Sequence, residues 1–551
     1  MLRPVCFFLI VTLTACTMPD APTTTLYHNA TVWTGTGDAP SATAFIVEGN
    51  RFTDVGEAPD LLDRYPDAAQ IDLGGAFVTP GFIDNHVHFF MGGFQLASFN
   101  LRDAATPETF AQRIADFAAP QPAGSWITNG SWDHKLWGGE LPRREWIDAE
   151  TPDHPVFVTR LDVHMALANK RALDAAGITR NTPDPPGGTI VRDPETGEPT
   201  GILKGNAMGL VYAVIPDPPE AVFDAALDHA IEHALSLGLT QVHDVGTYGG
   251  WTDLDAFERA RTADRLHLRI YAFMPIAQTQ RLVDHIAANG TGDDLLRWGG
   301  LKGFVDGSLG STTAWFYEPY TDAPGETGLL VNDEAQLSQW ITEAEAAGLH
   351  LAIHAIGDRA NDWLLDQYAS LEAVNGPRDR RHRIEHAQHL TREAMARFAN
   401  LDVIPSAQPY HAIDDGRWAE TRIGLARIQT TYPFRSLLDA DAPLTFGSDW
   451  TVAPFSPMEG VYAAVTRQTL DGAHPGGWVP EQKISVAEAL HAYTAHNAYA
   501  GFQEDRLGQI APGYLADFAV LHANPFEVAP EALRTIQVER TVVNGITWFT
   551  R

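Results

Sequence analysis

Residues 80–88 read PGFIDNHVH, an apolar run that ends in two histidines separated by one residue. Side chains alternate between the faces of a β-strand, so His86 and His88 point the same way and can bind one ion at about 2.0–2.1 Å each. A single His-x-His pair is a weak signal, because any sheet surface can carry one. The assignment therefore depends on whether similar polar residues follow other strands.

Four further polar residues stand in or directly after apolar runs: His354 in LAIH, His386 in RIEH, Asp449 in TFGSD and Lys302 in LKGFV. Most of the 21 histidines are expected to be surface or hydrogen-bonded core residues. Four histidines at strand ends, together with an aspartate and a lysine, change that expectation. If the strand ends converge on one spot, these side chains together can hold a metal ion. The sequence thus predicts a metal site.

The middle of the chain alternates strands with helical stretches, which is typical of a parallel sheet. The strands that we predict there are Phe82–His88, Gln241–Val245, Leu268–Phe273, Leu301–Val305, His350–His354, Arg383–His386, Val403–Ser406 and Leu444–Phe446. Eight such strands indicate an α/β fold with a (β/α)₈ barrel, whose sites lie at the carboxyl ends of the strands.

We assign the barrel to residues 80–504 and an inserted lobe, after the first strand, to residues 100–235. At residues 25–79 and 505–551, short runs of alternating apolar and polar residues are separated by turns, a pattern typical of antiparallel β-strands. They predict a small β-sandwich domain built from both ends of the chain.

The first fifteen residues resemble a signal peptide, with Arg3 before an apolar run too short to span a bilayer. The run ends in LTAC, similar to a bacterial lipobox, so we expect Cys16 to be lipidated and residues 16–24 to form a tether. An ordinary secretory cleavage with Cys16 incidental is the alternative. Either reading predicts an extracytoplasmic protein, at the periplasm or cell envelope. Cys6 leaves with the signal, so metal ligands must be nitrogen and oxygen.

The chain has 38 Lys and Arg against 70 Asp and Glu, a net charge of −32. Such a field repels nucleic acid and anionic lipid. We therefore expect a small-molecule substrate, membrane contact only through the Cys16 anchor, and no nucleic-acid partner. A homo-oligomer is left open.

The stretch at residues 80–88 resembles the first-strand motif of the amidohydrolase superfamily (amidohydrolase family 3), in the branch that includes N-substituted formamide deformylases. Further similar segments are IDLGG at 71–75, KGFVDGS at 302–308, HAIGDRA at 354–360, RIEHAQ at 383–388, GSDW at 447–450 and IAPGYLAD at 510–517. The resemblance covers nearly the whole chain beyond the signal, in the right order.

The resemblance implies a role for each candidate ligand. His86 and His88 would bind the more buried metal, and His354 and His386 the more exposed one. Lys302, carboxylated by CO₂, would bridge the two metals. Asp449 would bind the first metal and move protons. Nitrogen and oxygen ligands suit Zn²⁺, with Mn²⁺, Co²⁺ or Ni²⁺ as replacements. The alternative for Lys302 is an ion pair with Asp306 or another acid.

Four residues are candidates for substrate binding. His164, in the segment RLDVH at 160–164, and Asn169 resemble a family element that reaches over the site. Gln408 and His411, with Tyr410 between them, follow the seventh strand and could line the pocket. Simple loop packing is the alternative for all of them.

We therefore expect a metal-dependent hydrolase that cleaves a C–N amide-type bond (N-acyl, N-formyl or cyclic amide), with Asp449 and Lys302 as catalytic residues. One alternative is a carboxylic ester or lactone hydrolase on the same site. Another is a small-molecule-binding lipoprotein without turnover, although a complete set of six candidate ligands argues against a degenerate barrel.

Overall fold

A computed structural model describes residues 24–96, 99–216, 219–246 and 251–551. Its central sheet has eight strands in chain order, and each neighbouring pair is parallel. We label them β1 (Phe82–Val87), β2 (Leu239–Asp244), β3 (Arg269–Pro275), β4 (Leu296–Phe304), β5 (His350–Ala355), β6 (Arg383–His386), β7 (Ile404–Ala407) and β8 (Thr445–Phe446). All eight predicted barrel strands are confirmed, with shifted ends.

The barrel is nearly closed between β1 and β8. A parallel bridge joins Val87, the last residue of β1, to Trp450, which follows β8. The backbone N–H of His88 donates to the carbonyl oxygen of Trp450 at 2.8 Å. The seam of the barrel therefore runs through the segment that carries the candidate ligands.

Helices cover the barrel because each presents an apolar face to the strands. The helix Glu334–Ala346 shows how one is delimited: the Asp333 side chain accepts hydrogen bonds from the first turn, and Gly348 follows its end. The other helices outside the lobe are Ala58–Arg64, Phe89–Leu96, Glu220–Ser236, Thr252–Thr262, Thr279–Asn289, Asp358–Asn375, Arg392–Asn400, Pro409–Asp415, Ala419–Ile428, Phe434–Asp439, Pro457–Thr466, Val486–Ala492 and Ala495–Ala500.

Both ends of the chain form two small sheets. The strands of one are, in spatial order, Arg51–Gly56, Ala44–Glu48, Thr24–His28 and Ala69–Asp72. Those of the other are Thr31–Val32, Phe77–Pro80, Phe518–Leu521, Val538–Val543 and Ile546–Thr550. Phe45, Phe52 and Phe518 share one buried core between the sheets. The predicted sandwich is confirmed, although two of its strand pairs are parallel rather than antiparallel.

The inserted lobe has its own five-stranded sheet. Its strands in spatial order are Gly188–Arg192, Pro199–Gly205, Met165–Ala168, Val156–Arg160 and Ile127–Trp132, and its helices are Pro107–Ala118, Glu145–Asp148, Lys170–Ala175 and Gly209–Tyr212. The helix Glu220–Ser236 instead packs Leu227, Ile231 and Leu235 into the main core beside the barrel. The lobe therefore ends before Glu220, and its predicted end at residue 235 is wrong.

The predicted signal peptide, Cys16 and most of the tether lie outside the described residues. No helix in the described part of the chain has the length and apolar character needed to span a bilayer.

Candidate metal centre

The six predicted ligands all lie at the carboxyl ends of barrel strands. His86 and His88 end β1, Lys302 lies in β4, and His354 and His386 lie at the ends of β5 and β6. Asp449 follows β8. All six are buried, and all except His86 line one cavity. Parallel strands bring their carboxyl ends to one side of a barrel, so residues far apart in sequence meet there.

The tightest candidate ligand set joins three strands. One ligand atom each of His86, His386 and Asp449 lies within 4.8 Å of the other two. Asp449 Oδ1 lies 3.3 Å from His88 Nε2 and 3.5 Å from His86 Nε2. The His386 ring lies between the rings of His86 and His354, with centroids at 4.9 and 4.5 Å. The predicted division of the four histidines into two pairs is therefore less clear-cut, because His386 is close to both.

An outward contact fixes the orientation of each histidine ring. His86 Nδ1 contacts the Glu385 carboxylate. His88 Nδ1 lies 2.6 Å from the carbonyl oxygen of Gly246, and His354 Nε2 lies 3.0 Å from that of Gly307. Such contacts set the tautomer and aim the other ring nitrogen, as at protein metal sites. Burial also lowers the pKa of His86 to about 3, so the ring is neutral, as a metal ligand must be. This donor set fits a divalent metal ion.

Glu385 and Arg383 form a fully buried ion pair beneath the site. Arg383 Nε and Nη2 donate to the two Glu385 oxygens at 2.6 and 2.8 Å, and Ser406 Oγ donates at 2.8 Å. Burial alone would raise the pKa of Glu385, but Arg383 and His86 hold that pKa well below its usual range. Glu385 is thus held in its charged form behind His86. Glu385 has no role among the sequence predictions, although two charged residues in a short buried strand are a signal that could have identified it.

Lys302 faces the site as a buried amine. Its Nζ lies 3.3 Å from His86 Nε2, and burial lowers the pKa of Lys302 to about 8. Asp306, the predicted alternative partner, instead accepts backbone N–H bonds from Trp315, Ile356 and Gly357 at 2.8–2.9 Å. Among the described residues, no carboxylate lies within 4 Å of the lysine Nζ. The ion-pair alternative for Lys302 is therefore not observed.

Asp449 is a charged group in a strained backbone. Its φ of 59° lies in the left-handed region, which aspartate tolerates better than most residues. Burial would raise its pKa, but His88 and His86 hold the pKa of Asp449 well below its usual range. His411 Nε2 lies 3.7 Å from Asp449 Oδ2 and makes no hydrogen bond with any described residue. Asp449 is therefore held charged beside a second polar group.

The lobe places His164 at the cavity. The preceding Asp162 accepts hydrogen bonds from Ser308 Oγ and Ser311 Oγ of the barrel at 2.5 and 2.8 Å, and it pairs with Arg160 at 2.7 Å. His164 lines the cavity, and its ring lies 5.0 Å from that of His354. Of the four predicted substrate residues, the structure brings His164 and His411 to the cavity wall.

Asn169 and Gln408 do not line the cavity. Asn169 begins the helix Lys170–Ala175: its side chain accepts from the Ala172 backbone at 3.0 Å and donates to the His154 carbonyl at 2.8 Å. Gln408 Oε1 contacts His386 Nδ1 at 2.8 Å. Asn169 thus has a local structural role, and Gln408 orients the ring of the candidate ligand His386. Tyr410 does not line the cavity either.

Comparisons with known proteins agree with this geometry. A family model described as "Amidohydrolase family" matches residues 69–549. Protein LONG AFTER FAR-RED 3 of Arabidopsis thaliana is 40% identical over 91% of this chain and 88% of that protein. The N-substituted formamide deformylase of Arthrobacter pascens is 29% identical over 95% of this chain and 98% of that protein. An uncharacterized metal-dependent hydrolase from Pyrococcus horikoshii, 27% identical, has a TM-score of 0.74 and covers 92% of this chain and 99% of its own.

Proposed function

Because this chain belongs to the amidohydrolase family and is therefore a hydrolase, we propose that it cleaves a C–N amide-type bond of a small molecule with the help of divalent metal. The position of Asp449 carries this proposal. Its carboxylate is held charged, 3.3 Å from His88 Nε2 and 3.7 Å from His411 Nε2. An amide nitrogen must gain a proton to leave, and a carboxylate at this point can pass on the proton that it takes from the attacking water.

His86, His88, His354, His386 and Asp449 would hold the metal, with Zn²⁺ first and Mn²⁺, Co²⁺ or Ni²⁺ as replacements. We propose that the Lys302 amine takes up CO₂ and loses a proton, so that two carbamate oxygens, which share one negative charge, would join the ligand set. The lowered pKa of Lys302 increases the fraction of the neutral amine that this reaction requires. When bound, the metal lowers the pKa of water and polarises the substrate carbonyl oxygen.

The residues of this chain then have separate tasks. Asp449 accepts a proton from the attacking water and passes it to the leaving nitrogen. His411 and His164 contact the substrate from two sides, one after β7 and the other from the lobe. The bonds of Asp162 to the barrel hold the lobe over the cavity, which limits the access of water to the reacting groups.

A substrate panel tests the reaction type. Zinc-loaded protein is assayed on N-formyl amines, N-acyl amino acids and cyclic amides, and on esters matched to them in shape. We expect turnover of at least one amide, lost when the metal is removed. Hydrolysis of esters and lactones with no amide cleaved would replace the proposal by an esterase.

We further propose that the protein is an extracytoplasmic lipoprotein anchored through Cys16. Support comes from the sequence of residues 1–16 alone. Full-length protein made in a bacterial host should partition with membranes and carry a lipid-sized mass increase, and Cys16→Ser should remove both. An unmodified Cys16 in the membrane-free fraction would contradict the anchor.

A further inference from the structure

The wall of the cavity away from the candidate ligands is acidic. Asp133 and Asp162 line it, and both pair with Arg160, at 3.0 and 2.7 Å. Asp414 also lines the cavity and pairs with Arg417. Each of these three carboxylates therefore has a guanidinium partner supplied by the protein.

Asp415 is the exception on this wall. It lines the same cavity, but no cationic side chain among the described residues lies within 4 Å of its carboxylate. Burial raises the pKa of Asp415 to about 7, although the Tyr432 hydrogen bond and the more distant Arg160 and Arg417 partly oppose this rise. Asp415 therefore differs from the other three carboxylates of this wall in having no ion-pair partner within 4 Å among the described residues.

Two hydrogen bonds hold the Asp415 carboxylate in one orientation. Tyr432 Oη donates to Oδ2 at 2.6 Å, and Gln388 Nε2 donates to the same oxygen at 2.9 Å. Oδ1 accepts no hydrogen bond from any described residue. One oxygen is thus fixed by the protein, and the other remains available to a group in the cavity.

Trp418 lies beside Asp415 on the wall and adds a second element suited to a cation. An indole face attracts an ammonium or guanidinium group within about 6 Å. The ammonium of Lys135 already lies 5.9 Å from this ring, at the outer limit of such an interaction. A carboxylate and an indole on one wall are a combination that recognises a positive charge.

The helix Pro409–Asp415 sets the distance between this wall and the reacting groups. His411 and Asp415 are four residues apart on it, so they share a face, with a rise between them of about 6 Å. His411 lies next to Asp449. Asp415 therefore lies roughly one helical turn beyond the point where the proton is transferred.

From this arrangement we propose that Asp415, with Trp418, binds a cationic group of the substrate, an ammonium or a guanidinium. The substrate class is then an amide whose basic group lies about four to six bonds from the scissile carbonyl, such as an N-acylated short diamine or an amide of a basic amino acid. This inference rests on the proposed amide hydrolysis and adds the recognition of charge to it.

Isosteric substrate pairs test the inference. N-acetylputrescine is compared with N-acetylpentylamine, and δ-aminovaleramide with hexanamide; in each pair a methyl group replaces the ammonium. For zinc-loaded wild-type protein we expect kcat/KM in at least one pair to favour the cation by about tenfold or more, because a bond to a charged group contributes on that order. A ratio near one, or a preference for the neutral member in both pairs, would overturn the inference.

Variants connect the preference to one residue. Asp415→Asn keeps the shape of the side chain and should reduce the ratio about tenfold or more. The matched control Asp414→Asn should keep the ratio, since Arg417 already neutralises that carboxylate. Tyr432→Phe removes a hydrogen bond but leaves the charge, so it too should keep the preference. A ratio that survives Asp415→Asn would overturn the assignment of the preference to Asp415.

Calorimetry separates failure of this inference from failure of the proposed reaction. If no amide is hydrolysed, the affinities of zinc-loaded protein for N-acetylputrescine and N-acetylpentylamine are compared directly. If the cationic compound binds more tightly, and Asp415→Asn removes this difference, the cation site is supported even though the amide reaction fails. Equal binding of the two compounds would refute the cation site. The wild-type comparison is decisive even if Asp415→Asn does not fold.

Discussion

Asp449 donates its backbone N–H to the carbonyl oxygen of His86 at 2.8 Å, so the end of the barrel is hydrogen-bonded to its beginning at two residues that also carry candidate ligand side chains. The distance between those side chains is therefore set by closure of the barrel. The left-handed backbone of Asp449 returns its carboxylate towards the histidines. Any change that widens this seam should weaken metal binding.

Gly447 allows the close approach at the seam. A Cβ placed there would lie 2.6 Å from the backbone nitrogen of His86 and 2.6 Å from Asn85 Oδ1. Gly447→Ala should push β1 and β8 apart, lower the metal affinity, and cost about 1–3 kcal/mol of stability through overpacking. Gly476→Ala is the control, since its Cβ would meet nothing within 4 Å. Metal titration showing the same affinity for both variants would contradict this role of Gly447.

Glu385→Gln tests the orientation of His86. The amide cannot match the carboxylate behind Nδ1, so we expect metal affinity to fall about 10–100-fold. The variant should also lose on the order of 3–5 kcal/mol of stability, because Arg383 is left buried without its anion. Glu345→Gln is a control, because it changes another buried carboxylate, one that pairs with the more exposed Arg378 and Arg380. The control should lose stability but keep its metal; equal metal loss in both variants would show that Glu385 acts only on stability.

The barrel could be predicted because each strand combines an apolar run with a polar residue at or near its end. The start of β4 could not be predicted, because Gly299 and Gly300 suggest a break there. Pairing of Leu296 with Ile270 in β3 nevertheless extends the strand back to Leu296. The pairing of Glu385 with His86 spans 299 positions, so no local pattern contains it. Asn169 was assigned by its place in a motif, and only the packing of the lobe shows that its amide caps a helix.

Lys302→Ala tests the bridging role of the lysine. The variant should lose most activity, and short carboxylic acids such as acetate or propionate should restore part of it by supplying oxygens in the gap. Isotope-labelled CO₂ should give a carbamate signal in the carbon NMR spectrum of wild-type protein that the variant lacks. Lys204→Ala, which removes another largely buried lysine, is the control. Activity of Lys302→Ala within a few-fold of wild type would exclude the bridge.

Asp449→Asn tests the proton transfer. The variant keeps the size of the side chain and some capacity to bind metal, but it cannot accept a proton. General acid–base steps contribute about 10²–10⁴-fold, so kcat on an amide should fall by at least that range. An activated ester should lose less, because its leaving group needs no proton. Equal losses on the amide and the ester would indicate that Asp449 acts through metal binding alone.

Metal content measured together with amide hydrolysis tests the central claim most directly. Protein stripped by a chelator and shown by elemental analysis to be metal-free should have no amidase activity. Activity should return in proportion to added Zn²⁺ or Mn²⁺ and level off at one or two ions per chain. Full activity of the metal-free protein would contradict the assignment of His86, His88, Lys302, His354, His386 and Asp449 as its metal centre.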